Sequence, residues 1–296
     1  MIRNPAFLNQ LDLLQMIATL TRSWSRFLIA LTWGLCVVFA ASTASAQEIA
    51  KEIKQRGTLR VGAAQAEPWF FKDPATSQWS GVGVSLGKAL ADAMGVKLEL
   101  VEVTWATAVP AIQANKIDIM PLLDATPERA QAVDFPSVPV LYFGQAVLVR
   151  DGLPASNWED LNNPKVTIAV TRGTTPEAAV KRLAPKANIL TFPSNAETAA
   201  AFQSGRADAS SMFHPPLIIL QQKIGSGTIV LPKPFEYGAT SIATRKASDK
   251  QFLDFLDVEI KKYYDSNQTQ MWFEQFLKTR GIDPAKLPSV RKEKWS

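Results

Sequence analysis

Beyond Gly57, apolar runs with a two-residue period alternate with stretches whose apolar residues recur every three to four positions. Thr58 to Gly62 (TLRVG) predicts a strand, and Val96 to Val103 (VKLELVEV) predicts another with strict alternation. Between them Leu86, Leu90 and Met94 stand at i, i+4 and i+8 on one helical face over 84–94, with Gly95 placed to end the helix. Val109 and Ile112 mark a short helix that ends before Lys116, and Ile117 begins a strand running on toward residue 123. The second half repeats the pattern with a strand over 166–170, a helix over 176–183 and a strand over 187–192. A helix over 196–203, stopped by Gly205, follows, and Ala207 to Ser210 (ADAS) begins another short strand. Two extended segments, 142–150 (YFGQAVLVR) and 237–244 (YGATSIAT), flank that half, and the helices FLDFLDVEIKKYY and QMWFEQFLKT end the pattern before Gly281. Strand–helix alternation of this kind predicts an α/β fold of βαβ units. The arrangement expected is two α/β lobes joined by two crossing strands, with the C-terminal helices returning to the first lobe.

The N-terminus breaks the pattern. Phe27 to Ala41 is an apolar run preceded by Arg22 and Arg26 and followed by Ala44-Ser45-Ala46. A membrane-spanning helix needs about 20 apolar residues. A shorter run behind arginines and ahead of a small-x-small tripeptide predicts a secretory signal peptide, 1–46, cut after Ala46. Its removal takes away Arg3, Arg22, Arg26 and Asp12, leaving 29 basic and 26 acidic residues. It also removes Cys36, the only cysteine. Disulfides and thiolate metal sites are then excluded, and a single histidine, His214, argues against zinc. No cofactor is expected. The basic residues form no block of the sort that grips nucleic acid.

Two strands end in the same device. Thr126-Pro127-Glu128 follows the strand toward 123, and Thr175-Pro176-Glu177 follows the strand over 166–170. Threonine suits a helix N-cap, proline the first turn, and an acid the positive end of the helix dipole. In open α/β sheets ligands lie at the carboxyl ends of strands, where such helix ends present free N–H groups. Arg129 and Arg172 stand beside these two ends, and a guanidinium matches a carboxylate. A small organic anion held between two lobes is the function class these residues suggest.

The segments GTLRVG (57–62), EPWFF (67–71), PAIQANKIDIMPLLDATPERAQAVDF (110–135), DLNNPKVTIAVTRGTTPE (160–177) and AFQSGRADAS (201–210) resemble the periplasmic solute-binding proteins of family 3, the polar amino-acid receptors of ABC importers. The resemblance covers nearly all of the mature chain. It implies a two-lobed, type II periplasmic binding protein-like fold that closes on its ligand by hinge motion. The implied lobe limits are 47–145 and 239–296 for the first lobe and 146–238 for the second. The arginine of TPER, here Arg129, would clamp a ligand carboxylate, with the backbone of Asp124 beside it. The GTT turn would add Thr174 and Thr175, and Trp69 and Trp105 would stack on the ligand. The implied protein is a periplasmic monomer that carries a small-molecule carboxylate to the permease of an ABC transporter in the inner membrane.

Two positions depart from the family. Serine or threonine is usual where Asp124 stands, and a ligand carboxylate would be repelled there unless Arg129 or Arg172 neutralises the acid or the acid holds a ligand cation. The aspartate that binds the ligand ammonium after SGRAD is replaced by Phe213, followed by His214. Either Asp124 has taken over the ammonium, or the ligand is a carboxylate without one. A few proteins of this fold are cyclohexadienyl dehydratases acting on prephenate or arogenate. Asp124 beside Arg129 would be the acid and the carboxylate site of that alternative.

Overall fold

A computed structural model describes residues 49–248 and 250–294. The expected signal peptide and its cleavage site lie outside these residues. The first lobe opens with α1 (Ile49–Arg56) and β1 (Thr58–Ala64) and a small hairpin of β2 (Phe71–Lys72) and β3 (Trp79–Ser80). It continues through α2 (Val82–Met94), β4 (Lys97–Val103), α3 (Ala108–Gln113), β5 (Ile119–Asp124), α4 (Pro127–Ala132) and β6 (Val133–Asp134). β7 (Leu141–Val149) leads into α5 (Trp158–Leu161), β8 (Thr167–Thr171), α6 (Thr175–Leu183) and β9 (Asn188–Phe192). Then come α7 (Asn195–Gln203), β10 (Ala209–Phe213), α8 (His214–Ile224) and β11 (Thr228–Val230). β12 (Tyr237–Arg245) crosses back, and α9 (Gln251–Asp265) and α10 (Gln268–Thr279) follow.

The strands line up in the order β4-β1-β5-β12-β7-β10-β8-β9. β4, β1 and β5 run parallel at one end, and β10, β8 and β9 run parallel at the other. β1 has a partner on each side and reads as a near-continuous buried run, as parallel strands covered by helices do. α2 turns Leu86 and Leu90 into the core and ends at Gly95, whose φ of 70° is the left-handed cap position.

β7 and β12 are shared by the two ends. Leu141–Gly144 of β7 pairs with β12, whereas Gln145–Val149 pairs with β10. β12 in turn gives Tyr237–Thr240 to β7 and Thr240–Thr244 to β5. Leu59, Leu86 and Ile112 share one buried cluster with Phe252 and Phe273, so the C-terminal helices complete the first lobe. Val147, Trp158, Ile168 and Val180 form a separate cluster in the second. With the carboxyl ends of β5 and β8 fixed by these cores, the N-termini of α4 and α6 are anchored on one lobe each.

Two features depart from the expected pattern. β10 starts at Ala209, two residues after the expected Ala207, and runs to Phe213, and α8 begins at once behind it. Pro215 and Pro216 punctuate the sequence like a loop, yet both fall in the first turn of α8, where no intrahelical N–H bond is needed. The second feature is a bulge where β5 meets β12. Leu123 faces Ser241 and Pro121 faces Ile242, which leaves Leu122 unpaired with φ at 61°. A leucine in the left-handed region is strained, and the bulge re-aims the last residues of β5.

His214 ties α8 to the crossing strand. Its Nδ1 accepts the Gly144 N–H at 3.0 Å, and the ring is 3% exposed. The proton of the neutral ring therefore sits on Nε2, which is buried without a partner. Burial pushes the imidazole from 6.5 down to about 4. Between these values the unfolded chain binds a proton that the folded chain refuses, so stability rises with pH across the window and is lost as pH falls from 6.5 toward 4. At 1.36 kcal/mol per pH unit the full effect is about 3 kcal/mol. In urea titrations, His214→Gln is expected to flatten the pH dependence of unfolding between pH 6.5 and 4 by that order. Identical slopes for the two proteins would refute the buried neutral imidazole.

Candidate functional site

α4 is set by its first four residues. Thr126 holds an extended φ/ψ, its hydroxyl accepts the Arg129 N–H at 3.3 Å, and Pro127 opens the helix. This places Arg129 one turn in, with its side chain folded back over the end of β5. Nη1 donates to the backbone oxygen of Asp124 at 2.9 Å, and Nη2 donates to the backbone oxygen of Gly173, in the second lobe, at 2.8 Å. One side chain thus bonds the main chain of both lobes.

α6 begins one residue earlier than the TPE tripeptide suggests. Thr174, not Thr175, is the N-cap: its hydroxyl accepts the Glu177 N–H at 3.3 Å and donates to the Thr171 oxygen at 2.7 Å. Thr175 becomes the first helical residue, and its free hydroxyl donates to Asp124 Oδ2 at 2.5 Å, across the two lobes. Glu177 steadies the turn by accepting the Gly173 N–H at 2.7 Å. Burial raises the Glu177 carboxyl, but the hydrogen bonds from Lys181 and Gly173 outweigh it and hold the group below the usual carboxylate range.

These ends close on a cavity of about 50 Å³. Its wall includes seven of the eight residues singled out in the sequence: Trp69, Trp105, Asp124, Arg129, Thr174, Thr175 and Phe213. Arg172 is the exception. Thr171 lines the cavity, while Arg172 is exposed and absent from the wall, so the expectation of a second arginine anchor is corrected. Neighbouring side chains of an extended segment point to opposite faces, and the inward face belongs to Thr171.

The aromatic wall is built from both lobes. Trp69 is 4% exposed and stacks near Phe143 and Phe273, with centroids 5.9 and 6.3 Å away. Phe213 lies on Phe143 at 3.7 Å. Trp105 reaches over from the end of β4, and its Nε1 donates to Asn195 Oδ1 at 3.1 Å at the start of α7. Phe143, Met212, Asn195 and Leu122 also line the cavity and were not singled out. Phe143 lies on a crossing strand, Met212 late in β10, Leu122 at the bulge and Asn195 at the first position of α7, places that carry no local signature of a ligand site.

Electrostatically the site is an acid and a base, each partly desolvated. Burial pushes the Asp124 carboxyl above the usual carboxylate range, only partly offset by the Thr175 hydroxyl, the Arg129 charge and Thr240, its partner across the β5–β12 pairing. Burial likewise lowers the Arg129 guanidinium, against the pull of Asp124 and Glu128. Asp124 Oδ2 is bonded, but Oδ1 is buried with no protein partner. Among the described residues no group of three or more His, Cys, Asp or Glu is placed to hold a metal.

A family model described as bacterial extracellular solute-binding proteins, family 3, matches residues 59–279. The chain is similar to the glutamine-binding protein of Geobacillus stearothermophilus, 32% identical over 177 residues, which are 57% of this chain and 66% of that protein. It is 27% identical to the ABC transporter glutamine-binding protein GlnH of Bacillus subtilis over 252 residues, 83% of this chain and 89% of that one. Among solved structures, it resembles the ancestral amino acid-binding protein AncCDT-1, a precursor of cyclohexadienyl dehydratase. That match has 37% identity and a TM-score of 0.71, covering 77% of this chain and 99% of the other.

Proposed function

The chain belongs to the bacterial extracellular solute-binding proteins of family 3, and on that premise we propose that it captures a small carboxylate, an amino acid or a related organic acid, between its lobes and delivers it to the permease of an ABC importer. The observation that carries this reading is Arg129, a half-buried side chain that lines the cavity and is bonded to the backbone of each lobe. Two of its five N–H groups are fixed on carbonyl oxygens, so the fork is oriented before a ligand arrives, and the remaining donors suit a carboxylate. The relatives that bind glutamine or other amino acids support the same class of ligand.

Capture and closure are coupled in this scheme. The bonds that join the lobes at the cavity, Arg129 to Gly173 and Thr175 to Asp124, form at the place where the ligand sits. A salt bridge from Lys223 on α8 to Glu67 joins the lobes further along the cleft. β7 and β12 are the hinge, with lobe limits at 47–145, 146–238 and 239–296, in keeping with the way each strand pairs with both ends of the sheet. The protein works outside the cytoplasm as a monomer after removal of residues 1–46. The dehydratase alternative has less behind it. Among the described residues Asp124 is the only acid in the cavity wall, so no second carboxylate is available to share the proton transfers.

The reading is tested by identifying what co-purifies with the protein by mass spectrometry and titrating that compound by calorimetry. Removing one partner of a buried, hydrogen-bonded charge pair costs about 2–5 kcal/mol. Arg129→Ala is therefore expected to raise Kd by about 30- to several-thousand-fold without unfolding the protein, and unchanged affinity would end the assignment. Gly173 supplies a check on closure. Its φ is 75°, and an added Cβ would lie 2.6 Å from Ala106 Cα in the opposite lobe. Gly173→Ala should weaken binding at least 10-fold, because the clash exists only where the lobes meet. A variant that binds as tightly as the parent would show that this contact plays no part in capture.

A further inference from the structure

The polar groups of the cavity wall can be accounted for one by one. Thr171 shares a 2.9 Å hydrogen bond with Thr198, and Thr174 is used by its capping turn. Ser211 accepts from Gln145 at 2.8 Å, and Asn195 accepts from Trp105. Thr175 is committed to Asp124. The Asn195 amide also gives one N–H to Met212 Sδ at 3.5 Å. Among the charged side chains of the wall, the groups with unused capacity are the remaining N–H groups of Arg129 and Asp124 Oδ1, which is buried and unpartnered.

These two groups sit side by side. Arg129 Nη1 is bonded to the main-chain oxygen of the same Asp124 that lines the cavity. The guanidinium takes that main-chain oxygen, so the acid keeps an oxygen for another cation. The far end of the cavity offers no counter-ion, since Phe213 presents a ring packed on Phe143. Much of the remaining wall is apolar: Trp69, Trp105, Leu122, Leu123 and Met212.

We propose that the ligand is an α-amino acid with an uncharged, apolar side chain, its carboxylate on Arg129 and its ammonium on Asp124 Oδ1. The inference rests on the capture of a carboxylate by Arg129 proposed above and specifies what else the ligand must carry. The head group then meets one fixed cation and one fixed anion, and the buried charges cancel. A buried carboxylate without a cation is unfavourable, and the ligand ammonium supplies the missing partner. A cationic side chain would find no second acid in the wall, and an acidic one no second base. Asp124 is thus a specificity-determining residue that admits the amino group and, by its charge, turns away plain carboxylates.

The test compares, by calorimetry on the full chain, L-leucine and L-phenylalanine with 4-methylpentanoate and 3-phenylpropanoate, their counterparts without the amino group, and with L-arginine and L-glutamate. At least one of the two apolar amino acids is expected to bind 100-fold or more tightly than its des-amino counterpart and than either charged amino acid. Asp124→Asn, with folding checked by circular dichroism, should weaken that amino acid by about 100-fold and narrow the gap to the des-amino acid. Equal or tighter binding of a des-amino acid by the parent protein overturns the inference and leaves the carboxylate reading standing, and this comparison does not depend on the variant. Preference for L-arginine or L-glutamate, or unaltered binding in Asp124→Asn, also overturns it. If a compound outside this panel co-purifies and binds through Arg129 while none of the panel binds, the inference fails alone. If Arg129→Ala leaves that binding intact, both fail.

Discussion

The site depends on holding one half-buried guanidinium in place. Arg129 is drawn partly out of water at the end of β5, where desolvation disfavours its charge, and two backbone carbonyls from different lobes replace part of its lost hydration. The local architecture serves this placement. The Thr126 cap sets the turn on which Arg129 rides, the core beneath β5 fixes the height of that turn, and the Glu177 carboxylate presents Gly173 to the guanidinium. Because one of the two carbonyls belongs to the opposite lobe, the arginine makes both backbone bonds only when the lobes are together. In the proposed function, ligand capture and domain closure would then be coupled through this one side chain.

The contacts between the lobes are few enough for this coupling to operate. A neutral hydrogen bond contributes about 0.5–1.5 kcal/mol net, and a solvent-exposed ion pair about 0–1 kcal/mol. The bonds from Thr175 and Trp105 and the Lys223–Glu67 pair therefore bias the lobes only modestly toward closure, and a ligand that interacts more strongly with the closed arrangement can shift the balance. The sheet passes from one lobe to the other only through β7 and β12, which is the construction a hinge requires, while Ile219 of α8 and Phe213 pack onto the first-lobe core.

Periodicity made most of this fold legible, because buried helix faces and buried strands leave regular marks in a chain. The parallel strands, α2 and both C-terminal helices fall within a few residues of where the apolar spacing places them. What escaped was set by tertiary contacts or by residues with two meanings. Thr174 and Thr175 are equally good caps on paper, and only the Glu177 bond to Gly173 and the hydroxyl's path to Asp124 separate them. Pro215 and Pro216 look like the end of a structure and are instead the start of α8. The left-handed Leu122 has no sequence signal at all, since leucine is not a residue that chooses that conformation. Arg172 shows the opposite error: proximity in sequence to a helix end was taken for proximity to the cavity, and alternation along the chain turned it outward.

Asp124 links the chemistry of the site to its stability. Serine or threonine there would leave no uncompensated charge, whereas this aspartate keeps one carboxylate oxygen buried without a partner and is driven toward its neutral form by burial. Such a group destabilises the ligand-free closed protein, and any ligand that brings a cation relieves the penalty at the moment it binds. The relief adds to the binding free energy only for ligands with an ammonium in reach of Oδ1, so the same unsatisfied atom both weakens the empty closed state and discriminates among carboxylates. The family usually places its ammonium-binding acid at the end of β10. With phenylalanine in that position and the acid beside the arginine, the proposed recognition of both ends of an amino-acid head group would be concentrated on β5 and the turn that follows it. The second lobe then contributes no charged side chain to the wall among the described residues, only hydroxyls, an amide and apolar groups.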